Sequence, residues 1–406
     1  MENEGVSMGK VELLAPAGDM EKLRQALYFG ADAVYLGGSR MNLRAFSSNF
    51  EDEAITSAAA LCHTKQKKLY VTLNSIPHNE DLVGLEEYIA FLASIGVDGL
   101  IVSDVGVISI AKKAAPDLPL HLSVQANCTN HASANFYHSI GVERIILSRE
   151  LSLAEISEIR SNTPKSLMLE AFVHGAMCMS YSGRCHMSHV MTGRDANRGA
   201  CAQPCRWKYA LLEETREDLY YPVEQDEKGS YILSAYDLMM IEHLDALQKA
   251  GVESFKIEGR MKTVYYVSNV INAYRRALSG GENIEALKAE LYKSSHRPYD
   301  TGFYFGIPSN KGDAGAYEQG YDFVGLVKGY DDETGRLFIE QRNAFAVGEE
   351  LEVLSPGGQW NKSFIVQGIK DEKGQLINRA TIPQQVVTVP ADIKLSDMDI
   401  LRRKRN

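Results

Sequence analysis

The amino-acid sequence predicts an α/β chain: a parallel (β/α)8 TIM-like barrel with a Cys-rich insertion after its seventh strand, then a small C-terminal β-barrel domain. Three observations carry this. Short β-rich runs alternate with helical patterns over most of the first 280 residues. A unit of helix, Gly, small apolar residue, acid and strand recurs four times, as Gly30-Ala31-Asp32, Gly96-Val97-Asp98, Gly141-Val142-Glu143 and Gly251-Val252-Glu253. From about Tyr321 helical periodicity gives way to strands broken by turns. An open doubly wound sheet is the alternative for the first part.

In chain order, strands are expected at Val11–Ala15, Ala33–Leu36, Lys68–Leu73, Gly99–Val102, Leu120–Val124, Arg144–Leu147, Ser166–Phe172 and Ser254–Ile257. Helical patterns lie between them at Glu21–Phe29, Glu53–Lys65, Leu85–Ile95, Val107–Ala114, Ala132–Ile140 and Leu153–Arg160. Each repeat glycine suits a helix C-terminus in the left-handed region, and each acid is expected to turn outward before the buried run begins. The repeats precede strands two, four, six and eight, and eight strands close a barrel whose chemistry sits on the loops after the strands. Val173–Ala235 is about twice an ordinary strand–helix unit and contains an apparent hairpin, Trp207–Glu213 with Tyr231–Ser234. The domains follow: residues 1–294 as barrel, including the insertion at 174–235; 295–320 as linker; 321–406 as the β-domain, ending in the basic tail Arg402-Arg403-Lys404-Arg405.

Composition narrows the function classes. Apolar residues at 45% and charged at 24% are globular values, which exclude a disordered or fibrous chain. Lys+Arg 43 against Asp+Glu 53, a net −10, argues against wholesale coating of nucleic acid but leaves room for a local basic site. No apolar run approaches the ~18–20 residues of a membrane helix. Met1–Lys10 carries no apolar signal core, so a cytoplasmic location is expected.

The cysteines are the most informative residues. Cys62 and Cys128 read as small apolar fillers. Cys178, Cys185, Cys201 and Cys205 form a C-x6-C-x15-C-x3-C arrangement inside the insertion. Clustered cysteines in a cytoplasmic chain bind metal more often than they pair. Structural zinc sites usually show a C-x2-C knuckle, which is missing here. The wider spacings suit a [4Fe–4S] cluster held by four thiolates, with zinc and unligated thiols as alternatives. Gly175, Gly183, Gly193 and Gly199 let the backbone curl around such an object, and Pro204 stiffens the last turn. The same stretch carries Arg184, Arg194, Arg198, Arg206 and Lys208 against Asp195, with His186 and His189. These cations either offset the charge of a thiolate-held cluster or grip phosphates and anionic substrates.

Barrel logic makes polar residues at strand C-termini the chemical candidates. They are Asn74, Asp104, Gln125, Asn127, Arg149, Glu150, Glu170, His174, Lys256, Glu258 and Arg260. Glu170 interrupts an apolar run, so its carboxylate must be paired or used. His174 lies four residues further on, as an acid–base group or a support for the insertion. Lys256, Glu258 and Arg260 alternate and therefore share one side of their strand, with a plain Lys256–Glu258 ion pair as the alternative to a substrate role. No G-x-S-x-G, H-E-x-x-H or P-loop motif is present, and no nucleophile stands out.

The run from Glu170-Ala171-Phe172-Val173-His174-Gly175-Ala176-Met177-Cys178 through Ser180-Tyr181-Ser182-Gly183-Arg184-Cys185 to Ser188 closely resembles the signature of the collagenase-like peptidase family U32. So do Arg198-Gly199-Ala200-Cys201-Ala202-Gln203-Pro204-Cys205-Arg206, the opening Leu13-Leu14-Ala15-Pro16-Ala17-Gly18, and Lys256-Ile257-Glu258-Gly259-Arg260-Met261. Besides the collagenase activity in its name, the resemblance implies oxygen-independent hydroxylases carrying an iron–sulfur cluster. Their substrates are a tRNA wobble uridine, a ribosomal RNA cytidine or the ubiquinone ring, with prephenate as hydroxyl source in the tRNA case. Length and the C-terminal β-domain are most similar to the tRNA uridine 5-hydroxylation branch. The resemblance makes Cys178, Cys185, Cys201 and Cys205 the cluster ligands and supplies no catalytic residues.

The expectation is thus an RNA uridine hydroxylase acting on tRNA with a small dicarboxylate donor and no membrane, with a second family member as a candidate heteromeric partner. Glu170, His174, Asp104, Gln125 and Asn74 are the catalytic candidates. Arg184, Arg194, Arg198, Arg206, Lys256, Glu258 and Arg260 are the substrate-binding ones. A peptidase and a non-catalytic, cluster-stabilised RNA-binding subunit are the rival readings.

Overall fold

The computed structural model describes residues 11–41, 43, 49–178, 180–182, 185–207, 210–212, 220–222, 236–306 and 318–405. Seven parallel strands run in order: β1 (Glu12–Pro16), β2 (Ala33–Gly37), β3 (Lys68–Leu73), β4 (Gly99–Val102), β5 (Leu120–Leu122), β6 (Val142–Ile146) and β7 (Met168–Ala176). After the insertion, which contains β8 (Ala210–Leu212), β9 (Tyr220–Pro222) and β10 (Asp237–Met239), the eighth barrel strand is β11 (Ser254–Ile257). It pairs in parallel with both β7 and β1, so the sheet closes and the open-sheet alternative falls. Six helices alternate with the first seven strands: α1 (Met20–Tyr28), α2 (Asp52–Thr64), α3 (Leu85–Ser94), α4 (Val105–Ala114), α5 (His131–Ser139) and α6 (Leu153–Ser161).

The internal repeat has a structural purpose. Gly30, Gly96, Gly141 and Gly251 all sit at positive φ, between 79° and 100°, where a Cβ would be strained. The acids that follow do more than turn outward. Asp32 Oδ2 accepts from Leu13 N at 3.1 Å and Asp98 Oδ2 from Leu69 N at 2.8 Å, while Glu253 Oε2 takes Leu169 N at 3.4 Å. Each therefore ties its turn to the neighbouring strand, and only Glu143 stands simply exposed.

Strand β7 runs past the expected Phe172 to Ala176, and β10 returns antiparallel along His174–Ala176, so the insertion leaves and re-enters the barrel at one place. Gly175 at this crossing has φ 108°, and a Cβ there would lie 2.3 Å from the Glu258 carbonyl oxygen. Ala210–Leu212 pairs antiparallel with Tyr220–Pro222, and the expected second arm Tyr231–Ser234 lies outside the described residues. Within the insertion are α7 (Met187–Thr192) and two 3-10 turns, Ala196–Arg198 and Pro204–Arg206.

Inward-pointing residues of the barrel are unusually polar at its lower end. Arg144 Nη1 donates to Glu12 Oε1 at 2.6 Å and to Glu170 Oε2 at 2.7 Å. Lys256 Nζ lies 3.1 Å from Glu170 Oε1, and Ser254 and Tyr70 hydroxyls complete the set. Two carboxylates meet two cations, so the buried layer is formally neutral.

The chain separates into two compact units, divided elsewhere than the expected 294/295 and 320/321 boundaries. The barrel unit takes Ala31–Lys262 and resumes at Arg297, where β12 (Tyr299–Asp300) pairs with β10. The second unit combines α9 (Val264–Ser279) and α10 (Ile284–Leu291) with the chain from Glu318. Where the turns pointed to a small β-barrel, the strands form one eight-stranded antiparallel sheet whose end strands, Ser363–Ile365 and Leu376–Ile377, are not paired to each other among the described residues. The expected basic tail is a strand of this sheet: Ile400–Lys404 pairs with Tyr321–Asp331 on one side and Glu350–Leu354 on the other. Arg402 is fully buried, bonded to Asn269 Oδ1 at 3.0 Å and Glu352 Oε1 at 2.8 Å and ion-paired with Glu290. Arg403 pairs with Glu349 and Asp322, and Arg405 with Asp322, so the three arginines of this run are held by acids of the same unit.

Candidate cluster site and barrel cavity

The four insertion cysteines come together. Cys178, Cys185, Cys201 and Cys205 all line one cavity of about 120 Å³, with Met177, Ser180, Tyr181, Ser182 and Asn197 around them. All four are free thiols, and Cys178 is the exposed one. The loop is held in shape by its own polar groups. Asn197 Nδ2 donates to Cys185 O at 3.0 Å, Ala202 N to Ser188 Oγ at 2.9 Å, and Gln203 N points at Cys201 Sγ from 3.3 Å. Gly193 and Gly199 make the left-handed turns expected of them, while Gly183 lies outside the described residues. Among the described residues, no three His, Cys, Asp or Glu stand close enough to share one metal ion. A single zinc needs its sulfurs about 2.3 Å from one point. Four thiols lining one void of about 120 Å³ are the donor set a cubane would need, each thiolate binding a different iron.

By contrast, Cys62 and Cys128 are buried elsewhere, and burial pushes their thiols up to about 12 and about 11, as suits inert core residues.

A second cavity of about 70 Å³ occupies the barrel mouth, lined by Tyr35, Thr72, Asn74, Ser123, Gln125, Arg149, Phe172, Lys256, Glu258 and Arg260 among others. Lys256, Glu258 and Arg260 share it, as their alternation predicts. The Lys256 partner is Glu170, however, and not Glu258, whose Oε2 instead lies 3.2 Å from the Tyr35 hydroxyl. Arg260 Nη2 donates to Asn49 Oδ1 at 2.8 Å. Asn74 and Gln125 line the cavity too, and Asn74 Nδ2 donates to Ser123 Oγ at 3.0 Å.

Four expected roles change. Burial would raise the Glu170 carboxyl, but Lys256 and Arg144 beside it hold it below the usual carboxylate range, so it is a fixed anion that positions Lys256. Asp104 is a helix cap: its Oδ1 accepts from Gly106 N at 2.8 Å and Val107 N at 3.1 Å. His174 is fully buried in β7 with its ring 5.3 Å from Tyr299, and it lines neither cavity. Arg198 reaches Glu80 at 3.1 Å and Asp81 at 3.0 Å, clamping the insertion to the loop after β3. Arg194 stays exposed, with Nε on Ala200 O at 3.0 Å. Arg184 and the side chains of Arg206 and Lys208 lie outside the described residues.

The sequence model of "Peptidase family U32" matches residues 18–314, and that of the "Peptidase family U32 C-terminal domain" matches residues 319–402. The chain belongs to peptidase family U32. This U32 chain is 37% identical over 404 residues to "tRNA hydroxylation protein P1" of Bacillus subtilis, covering 97% of this chain and 95% of that one. It is 37% identical over 364 residues to the "23S rRNA 5-hydroxycytidine C2501 synthase" of Escherichia coli, covering 86% of this chain and 53% of that one. It is 30% identical over 422 residues to a "Collagenase" of Porphyromonas gingivalis, covering 98% and 99%.

Two residues of the U32 chain were under-read in the sequence. Arg144 sits on the buried side of Val142–Ile146 as Glu170 does in its own strand, and two buried opposite charges on adjacent strands signal a pair. Arg149 appears at a strand end, but nothing local says that it lines both cavities, as Val124 and Gln125 also do.

Proposed function

We propose that this U32 chain is an RNA hydroxylase that carries a [4Fe–4S] cluster on Cys178, Cys185, Cys201 and Cys205 and 5-hydroxylates the wobble uridine of tRNA with a prephenate-like dicarboxylate as hydroxyl source. The observation that carries it is the four-cysteine cavity opening beside the cationic barrel mouth, read with relatives named for hydroxylation of tRNA and rRNA. When bound, the cluster supplies Lewis-acidic or redox-active iron at the rim of the barrel. The protein's own groups do the rest. Lys256, Arg149 and Arg260 hold an anion, Asn74 and Gln125 offer amide hydrogen bonds to it, and Glu170 keeps the Lys256 ammonium in place. The uridine must leave its stack to reach this depth. A second family member as partner fits the same reading.

The test is mass spectrometry of tRNA nucleosides from a strain lacking the gene, complemented with wild type or Cys178→Ala. Wild type is expected to restore 5-oxyuridine-type modification and Cys178→Ala to fail, with absorbance near 400 nm lost from the purified variant. Unchanged modification in the deletion strain overturns the reading. Peptide cleavage that survives in Cys178→Ala would favour the peptidase suggested by the collagenase relative.

Contacts to the RNA backbone can be sorted by salt. Arg194→Ala is expected to lower the slope of log affinity against log salt by about 0.7, the value for one single-strand phosphate contact. Arg198→Ala should leave that slope unchanged, since Glu80 and Asp81 already occupy its guanidinium. Filter binding between low and moderate salt reads both, and equal slopes in all three proteins would remove Arg194 from the interface.

A further inference from the structure

The two cavities share Val124, Gln125 and Arg149, of which only Arg149 is charged. Arg149 lines both, its Cζ lies 4.2 Å over the Phe172 ring, and its Nη1 donates to Ala176 O at 2.9 Å. These contacts fix the guanidinium plane, yet its Nε is buried with no hydrogen-bond partner among the described residues. Leaving such a donor unused costs free energy, and a planar fork with an open edge is the protein's usual carboxylate receptor. Two further buried atoms facing the barrel cavity, Thr72 Oγ1 and Asn74 Oδ1, also lack partners. The lining carries three cations, Arg149, Lys256 and Arg260, against the single carboxylate of Glu258.

At about 70 Å³ the barrel cavity has room for on the order of five waters, so only the head of an organic anion enters it. The remainder points past the shared wall of Val124, Gln125 and Arg149 toward the cysteine cavity. We propose that the two cavities form one bipartite site for a small carboxylic acid, with Arg149 as the residue that binds its carboxylate and sets its distance from the group held by the cysteines. Thr72 and Asn74 receive hydrogen bonds from a ligand hydroxyl or a water carried in with it. Arg149 is thus a substrate-binding residue in contact with both halves of the site. This rests on the proposed dicarboxylate donor and assigns where its carboxylate sits.

The experiment is calorimetric titration of the cluster-loaded, anaerobically purified full chain with prephenate, pyruvate and malonate, for wild type, Arg149→Met and Arg149→Lys. At least one acid is expected to bind wild type, roughly 10- to 100-fold more weakly to Arg149→Met, and with an intermediate loss to Arg149→Lys, which keeps the charge but not the fork. The bound acid should also perturb the visible absorbance of the loaded wild type and not that of Arg149→Met. If Arg149→Met loads poorly, Arg149→Lys decides. Equal affinity and equal spectral change in wild type and variant overturn the role of Arg149 while leaving the donor reading intact. Binding of none of the three acids to wild type overturns both.

Discussion

Glu170→Gln is expected to lower the stability of the barrel unit by about 3–5 kcal/mol, the usual cost of breaking a buried ion pair from one side. Glu170 is fully buried and is the shared anion of Arg144 at 2.7 Å and Lys256 at 3.1 Å. Glutamine keeps the shape but leaves Arg144 with Glu12 as its carboxylate and removes the ion-pair partner of Lys256. The pH dependence follows from the direction of the shift. Lys256 and Arg144 hold the folded-state pKa of Glu170 below its unfolded value of about 4.3, so its stabilisation is fully present above that value. It is lost as pH falls through the lower folded pKa. The gap in Tm between wild type and Glu170→Gln should therefore be constant from neutral pH to about 5 and narrow progressively below the unfolded value. A loss under about 1 kcal/mol with no narrowing of the gap in acid would show that this layer is not an ion-pair network.

Arg402→Met should cost the second unit about 3–5 kcal/mol for the same reason, since it leaves buried Glu290 with Lys293 in place of two cations. The partner substitution separates charge from packing. Arg402→Met with Glu290→Leu should recover much of the loss, because an apolar pair of similar volume replaces two charges without a desolvation cost. Urea unfolding followed by tryptophan fluorescence reads this, as Trp360 lies in the same unit with the Arg276 guanidinium 4.2 Å above its ring. Arg402 is also on a strand flanked on both sides, so removing Ile400–Arg405 should abolish the cooperative transition of this unit altogether. A single mutant as stable as wild type, or a double mutant no better than the single, would refute the buried pair as its anchor.

The basic run Arg402-Arg403-Lys404-Arg405 shows where local reading stops. Four cations in a row look like a solvated tail, because the carboxylates that pair with the three arginines lie 50 or more residues away, at Glu352, Glu349 and Asp322. Arg198 was equally opaque, its acids lying 117 and 118 positions earlier. Asp104 was legible in principle, since an Asp just before an apolar helical run is an N-cap.

Features set by short-range periodicity and chemistry are legible from the residues alone. Eight strands, the glycine-and-acid turns between them, the length of the insertion and the presence of four thiols within it all depend on residues a few positions apart. Which charges are used up depends on the folded arrangement. It pairs Glu170 with Arg144 and Lys256, commits Arg198 to Glu80 and Asp81, and leaves Arg149 Nε with no hydrogen-bond partner among the described residues. The physical reason is that a backbone pattern is written by local sterics and burial. Whether a charged side chain is a ligand or a brace depends instead on which opposite charge closure of the barrel brings within about 4 Å of it.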